Sequence, residues 1–253
     1  MVTAPCSAPL LKAVRAVVFD TDGVITDSAR VHAAAWKEAF DACPRAAGDE
    51  RPFDPVEEYR RYVDGKSRLD GARALLVSRG LTLPEGDPLD PPGTGSVRAV
   101  AARKEELFTA RLREHGITAW PGTVRLLRVL GREQVPCAAV SASRHATELL
   151  GAAGVRDLFR VVVDGSEARR LGLPNKPDPA LFVEAARRLG VPAAECAVVE
   201  DALVGVEAGR RGRFALVIGV DRTATAASAA DLLDHGADVV VQDLAELLTV
   251  PEG

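Results

Sequence analysis

The run Phe19-Asp20-Thr21-Asp22-Gly23-Val24-Ile25-Thr26-Asp27-Ser28 follows the apolar residues Ala16-Val17-Val18 without a break. A short apolar stretch ending in a Gly-containing polar loop reads as a central strand of a parallel sheet, buried on both faces. In open α/β sheets ligands collect beyond the carboxyl ends of such strands, which is where Asp20 and Asp22 fall. Side chains alternate along a strand, so both acids of Asp-x-Asp can point one way, and Gly23 lets the chain turn sharply behind them. Carboxylates this close repel each other, and either a bound cation or a proton held by one of them relieves the repulsion. A plain strand-to-helix turn is the competing account, since Asp and Gly are ordinary turn residues.

Beyond Thr123 the pattern alternates between strands and helices. Apolar runs at Val135–Val140, Arg160–Val163, Cys196–Val199, Phe214–Ile218 and Asp238–Val241 predict strands, and Val14–Phe19 joins them. Helical spacing predicts helices over Thr123–Leu130, Arg144–Ala152, Ala180–Leu189 and Ala202–Arg211. The expected fold class is α/β, a Rossmann-like parallel sheet with helices on both faces. Ala enrichment over Thr223–Ala230 is read as compositional bias.

Between the first strand and this block the chain reads as helical: Ala29–Phe40 with Ser28 as N-cap, then Val56–Tyr62, Leu69–Ser78 and Val97–His115. The predicted organisation is a core of residues 1–28 and 117–253 with an inserted helical domain over 29–116. Trp36 is expected in the core of that insert, while His32 on the same face either lines a cleft or is an ordinary helical residue. The polar stretch Pro44–Pro55 and the Pro/Gly-rich run Gly86–Gly95 read as loops. Lys66 and Arg68, just before a helix, are either solvated or phosphate-binding.

The formal charge of −4 over 253 residues offers no basic footprint for nucleic acid or polybasic membrane contact. No leader-like start or membrane-length apolar run is seen, so a cytoplasmic protein, monomeric and without membrane partners, is expected. Cys6, Cys43, Cys137 and Cys196 are widely spaced and read as reduced, buried thiols.

Three further clusters follow predicted strands. Ser141-Ala142-Ser143-Arg144-His145 offers hydroxyl and backbone N–H groups suited to a phosphate, unless Ser143 simply caps a helix. Asn175-Lys176-Pro177-Asp178-Pro179 fixes a lysine between prolines, a point charge suited to phosphate, with Asp178 and Pro179 at a helix start. Glu200-Asp201 ends another strand and serves either a helix dipole or, with Asp20, a hard Mg²⁺-type site. Together the clusters supply a nucleophile, a metal site and groups for a phosphate, which is the set that aspartyl-phosphate chemistry requires.

In this order the clusters resemble the four motifs of the haloacid dehalogenase superfamily over roughly Val14–Leu248. The match extends through His32 and Trp36 to the β-phosphoglucomutase-like group. The resemblance implies a Rossmann-like core with a helical cap, Asp20 as nucleophile and Asp22 as general acid/base. It further implies Mg²⁺ held by Asp20, the Asp22 carbonyl and Asp201 with help from Glu200, and phosphoryl binding by Ser141, Ala142 and Lys176. Arg68, His32 and Ser28 fall at cap and hinge positions that serve the substrate. Asp64 stands where a cap lysine is usual, Lys104-Glu105 replaces Lys-Asn, Arg144-His145 replaces Lys-Asn, and the Pro/Gly loop is extra. These departures touch substrate selection more than chemistry.

The expected substrate is a small phosphorylated sugar. The implied activity interconverts β-glucose 1-phosphate and glucose 6-phosphate through a bisphosphate, with a sugar-phosphate phosphatase as the alternative. A dehalogenase has no use for the metal acids. A phospho-accepting signalling module needs no inserted cap, and a catalytically dead binding protein predicts loss of a core residue.

Overall fold

The computed structural model describes residues 7–43 and 51–248; Cys6 and the Pro44–Glu50 part of the predicted loop lie outside them. The chain divides into two compact units, Met1–Asp27 with Thr118–Gly253, and Ser28–Ile117.

The first unit carries strands β1 (Ala16–Asp20), β2 (Cys137–Val140), β3 (Val161–Val163), β4 (Cys196–Glu200), β5 (Leu216–Val220) and β6 (Val239–Val241). They form one parallel sheet in the order β3-β2-β1-β4-β5-β6. The alternation along β1 explains why the run is apolar throughout. Val17 and Phe19 pack on one face with Leu126, Leu130 and Leu150, and Ala16 and Val18 on the other with Leu181, Phe182 and Val206. Each fully buried Phe or Leu contributes about 1.5–3 kcal/mol.

The chain runs outward from β1 to β2 and β3, then crosses back to place β4 on β1's other side. The β1/β4 boundary is therefore the topological switch point, the place beyond whose strand ends open α/β sheets take their ligands.

Several expected boundaries move for identifiable reasons. The strand expected from Phe214 begins at Leu216, because the Phe214 N–H is spent on the Gly209 carbonyl, after a left-handed Arg213 (φ 55). Likewise Val135 donates to Leu130 and closes the preceding helix, α4 (Pro121–Arg132), so β2 starts at Cys137. Arg144 and His145 form a turn rather than helix, and α5 spans Ala146–Ala152. Helices α7 (Ala180–Leu189) and α8 (Leu203–Arg211) lie close to their expected places. Two helices were not expected: α6 (Gly165–Leu171) and α9 (Ala226–Asp234), the latter in the stretch read as compositional bias.

The second unit holds α1 (Ser28–Asp41), α2 (Arg68–Ser78) and α3 (Val97–His115) around Trp36, Phe40, Val63, Leu75, Leu76 and Val100. Trp36 is buried and stacks on Phe40 with ring centres 4.8 Å apart. The helix expected over Val56–Tyr62 is present over 57–63 but widens to π-type over Tyr59–Val63, and the Asp54 carboxylate caps its start by accepting from Val56 and Glu57 N–H. Helix α1 begins at Ser28 itself. The Gly86–Gly95 loop exposes Leu89 and is closed by Ser96 Oγ donating to Asp90 Oδ2 at 2.5 Å. Cys43, Cys137 and Cys196 are buried free thiols, and burial pushes the Cys137 thiol up to about 12. Among the described residues no helix is long and apolar enough to cross a membrane.

Candidate active site

Strand β1 ends on Asp20, which is 5% exposed, and beside it β4 ends on fully buried Glu200. Between these acids lies Lys176, delivered by a tight turn in which the Asp178 N–H bonds the Asn175 carbonyl; its peptide bond to Pro177 is cis. Asp178 then caps α7 by accepting from Ala180 N–H at 2.9 Å. Lys176 Nζ donates to Asp20 Oδ1 at 2.5 Å and also to Glu200 Oε1. Its other neighbour is the Phe182 ring, 4.8 Å from Nζ to the centroid.

The second oxygen of Glu200 accepts from Asp201 N–H at 2.6 Å and Ala202 N–H at 2.8 Å. Both Glu200 oxygens are thus engaged, one by Lys176 and the other by the N–H groups that lead into α8. Gly205 leaves the room for this, since a Cβ there would lie 1.6 Å from Glu200 Oε1.

The turn after β1 brings Asp22 alongside. Its backbone N–H donates to Asp20 Oδ2 at 2.9 Å, and its Oδ2 accepts from Ser141 Oγ at 2.9 Å. Ser141, buried at the end of β2, accepts in turn from Ser143 N–H at 3.0 Å. Ser143 Oγ accepts from His145 N–H at 3.3 Å, so the hydroxyl read as a helix cap closes the turn before α5. The neighbouring Ala142 carbonyl packs on Gly165, where a Cβ would approach to 2.5 Å. Thr21 Oγ1 ties the same turn to the Val140 carbonyl at 2.9 Å.

Burial raises the Asp20 carboxyl well above its ordinary value; Lys176 opposes this, while Glu200 and Asp22 add to it. For Lys176 burial works against the charged form, but Asp20 and Glu200 outweigh it and hold the ammonium ionised.

Asp20, Glu200 and Asp201 each offer a carboxylate oxygen, all within 4.8 Å of one another. Three acids against one lysine leave excess negative charge, which an oxygen-seeking divalent cation balances. Asp201 also fits closely against the turn, because a Cβ on Gly23 (φ +81) would lie 1.8 Å from Asp201 Oδ2. Asp20 and Glu200 each already accept a hydrogen bond at both oxygens, and together with Asp201 they form the set of acids that could offer oxygens to a cation.

Ser28, His32 and Arg68 belong to the helical unit. Ser28 is fully buried at the start of α1. His32 Nδ1 lies 2.7 Å from Lys104 Nζ, and its ring stacks on Phe108 with centres 4.1 Å apart. Arg68 pairs with Glu105 at 2.6 Å and His32 lies against Lys104, so both members of the departing Lys104-Glu105 pair are engaged by expected substrate residues. Asp64 accepts from Gly65 N–H at 3.1 Å, and Lys66 Nζ donates to the Tyr62 carbonyl at 3.0 Å.

The haloacid dehalogenase-like hydrolase family model matches residues 14–213. The chain is 44% identical over 240 residues to β-phosphoglucomutase of Mycobacterium tuberculosis, covering 93% of this chain and 92% of that relative. It is 29% identical over 242 residues to β-phosphoglucomutase of Bacillus subtilis, covering 92% and 91%. Among solved structures, a hydrolase from Pseudomonas syringae is similar, with a TM-score of 0.72 and 26% identity over 92% of this chain and 95% of that one. A family match spanning residues 14–213 and a relative 44% identical along 93% of the chain agree with the sheet order, and the chain belongs to the haloacid dehalogenase-like hydrolases, in their β-phosphoglucomutase-like group.

Proposed function

We propose that this protein is a Mg²⁺-dependent phosphotransferase that interconverts β-glucose 1-phosphate and glucose 6-phosphate through a phosphorylated Asp20. The observation that carries the reading is the meeting of Asp20 with Lys176, the Asp22 N–H and the acids Glu200 and Asp201 at the switch point of the sheet. The names of the mycobacterial and Bacillus relatives support the substrate class.

In this reading the Asp20 carboxylate attacks phosphorus and the bond from phosphorus to the sugar oxygen breaks. Asp22 protonates the departing oxygen and later takes the proton from the acceptor hydroxyl. Lys176 offsets the repulsion between the attacking carboxylate and the phosphate dianion, while Ser141 and the Ala142 backbone bind the transferring group. Asp20, the Asp22 carbonyl and Asp201, with help from Glu200, would hold a divalent cation, which would supply Lewis-acid charge neutralisation. Arg68, His32 and Ser28 serve substrate selection. One chain acts alone in the cytoplasm, and the net charge of −4 supports the absence of a nucleic-acid partner.

One observation favours a second reading, a sugar-phosphate phosphatase. Arg68 is the expected ligand for the second phosphate of a bisphosphate, and Glu105 already neutralises it. With that cation occupied, water becomes the competing acceptor.

The test supplies Mg²⁺ and β-glucose 1-phosphate with a trace of the 1,6-bisphosphate, and follows glucose 6-phosphate and free phosphate together. Glucose 6-phosphate without phosphate release establishes the mutase, and release alone establishes the phosphatase. Asp20→Asn lowers either rate by at least about a thousandfold, because no other group can take its covalent role. Retained turnover in that variant overturns the nucleophile assignment.

A further inference from the structure

Arg222 follows β5 and belongs to none of the clusters above, yet its guanidinium uses every nitrogen. Nε donates to the Gly23 carbonyl at 3.2 Å and one terminal nitrogen to the Val24 carbonyl at 3.4 Å. The other terminal nitrogen donates to the Gln242 carbonyl at 2.9 Å and to Asp243 Oδ2 at 3.2 Å. Its flat face lies 4.3 Å from the centre of the Trp120 ring. A planar fork with five donors can make this set of bonds, and a lysine cannot.

The arginine is itself held in place. Asp221, 4% exposed, accepts through Oδ1 from Thr223 N–H at 3.0 Å, Thr223 Oγ1 at 2.7 Å and Ala224 N–H at 3.2 Å. Its Oδ2 accepts from Ser228 Oγ at 2.6 Å, and its own N–H bonds the Val241 carbonyl at 2.8 Å. Asp243 is seated just as closely, since a Cβ on Gly122 would lie 1.6 Å from its Oδ1.

Gly23 and Val24 are the two residues directly after Asp22, so Arg222 grips the chain next to the proposed acid/base. The turn has no slack on its other side, where Gly23 abuts Asp201. Thr123 Oγ1, from the first turn of α4, adds a second hold on the Val24 carbonyl at 2.8 Å. Loosening either hold lets the turn shift while leaving Asp20, on its strand, bonded to Lys176.

We infer that Arg222 is a positioning residue for proton transfer by Asp22, holding the Gly23-Val24 turn so that the Asp22 carboxyl meets the oxygen that leaves phosphorus. The inference rests on the reading of Asp20 as nucleophile and Asp22 as acid. In that step the phosphorus–oxygen bond breaks, its electron pair goes to the sugar oxygen, and that oxygen takes the Asp22 proton. A nitrophenolate leaves without needing a proton, so a misplaced Asp22 slows the sugar phosphate and spares p-nitrophenyl phosphate.

The experiment measures kcat and KM of Arg222→Lys and Thr123→Val on β-glucose 1-phosphate and on p-nitrophenyl phosphate, beside Asp20→Asn and Asp22→Asn. Arg222→Lys is expected to lower kcat on the sugar phosphate about 10- to 100-fold, with KM and the nitrophenyl rate changed less than about threefold. Thr123→Val gives the same pattern with a smaller loss, and carries the test where Arg222→Lys does not fold. Equal losses on both substrates, or no loss on the sugar phosphate, overturn the positioning role. Turnover retained by Asp20→Asn overturns the underlying reading instead, so the two failures are distinguishable.

Discussion

Each unit of this protein buries a lysine, and the two lysines are stabilised by different chemistry. Lys176 in the sheet unit is 4% exposed and meets two carboxylates, Asp20 and Glu200. Lys104 in the helical unit is 3% exposed, with an imidazole 2.7 Å away and the rings of Phe108 and Trp36 at 4.5 and 5.5 Å. The first arrangement sets opposite full charges against each other, so removing one partner leaves another exposed to a low-dielectric surround. In the second, the cation lies beside an imidazole and against two aromatic rings, contacts that leave no pair of carboxylates behind when it is removed. The two buried lysines thus differ in what their removal uncovers, two carboxylates in one place and an imidazole with aromatic faces in the other.

The largest expected effect tests this contrast directly. Lys176→Met leaves Asp20 and Glu200 facing each other and destabilises the protein by about 3–5 kcal/mol in denaturant titration, with turnover of p-nitrophenyl phosphate lost. Lys104→Met keeps the aliphatic stem against the rings, costs about 1–2 kcal/mol, and leaves the p-nitrophenyl phosphate rate measurable. Similar losses in the two variants would erase the distinction.

A second pair of variants compares glycines of like backbone. Gly23 (φ +81) and Gly80 (φ +68) both lie in the left-handed region, but only Gly23 has a carboxylate where a Cβ would go. Gly80→Ala has only the backbone term to meet, about 1–2 kcal/mol, with activity unchanged. Gly23→Ala adds displacement of Asp201, and its Mg²⁺ requirement, read as the concentration giving half-maximal activity, rises at least about tenfold. An unaltered Mg²⁺ requirement would remove Asp201 from the metal's ligands.

The smallest effect concerns an exposed edge of the helical unit. Partial burial works to raise the Glu58 carboxyl, but the Arg79 guanidinium beside it wins and holds it below its ordinary 4.5. The folded protein binds this proton less readily than the unfolded chain does. The stabilisation is therefore full above about pH 4.5 and is lost as the pH falls through the depressed value. Amide exchange in α2, which carries Arg79 at its end, should accelerate below that pH, and Glu58→Gln should flatten the dependence.

Much of this was legible in the sequence because the carboxyl ends of buried parallel strands leave a local signature. Asp20 and Glu200 each close an apolar run, and Lys176 sits between prolines. Helix α6 escaped notice because Ala168 alone among its seven residues is buried, leaving no periodicity to read. Its punctuation was nevertheless present, since Asp164 caps it and a left-handed Gly172 ends it. Helix α9 was masked by its alanines, although Thr225 and Ser228 form a capping box at its start. Arg222 and Gly205 left no such trace. Their importance lies in contacts with Gly23 and Glu200 that exist only once the sheet is assembled.

The strand order also constrains the sequence of events in folding. Strand β1 is the sheet's hinge of connectivity, yet its partners are remote in the chain: Val17 pairs with Cys137 on one side and Ala16 with Cys196 on the other. Lys176 reaches Asp20 across 156 residues. During synthesis the apolar β1 emerges early and waits for its first neighbour until the whole helical unit has been made, while the intervening helices can form contacts among themselves. The first strand of the sheet unit is thus the one longest without a neighbour, and it is there that a chaperone has most to protect.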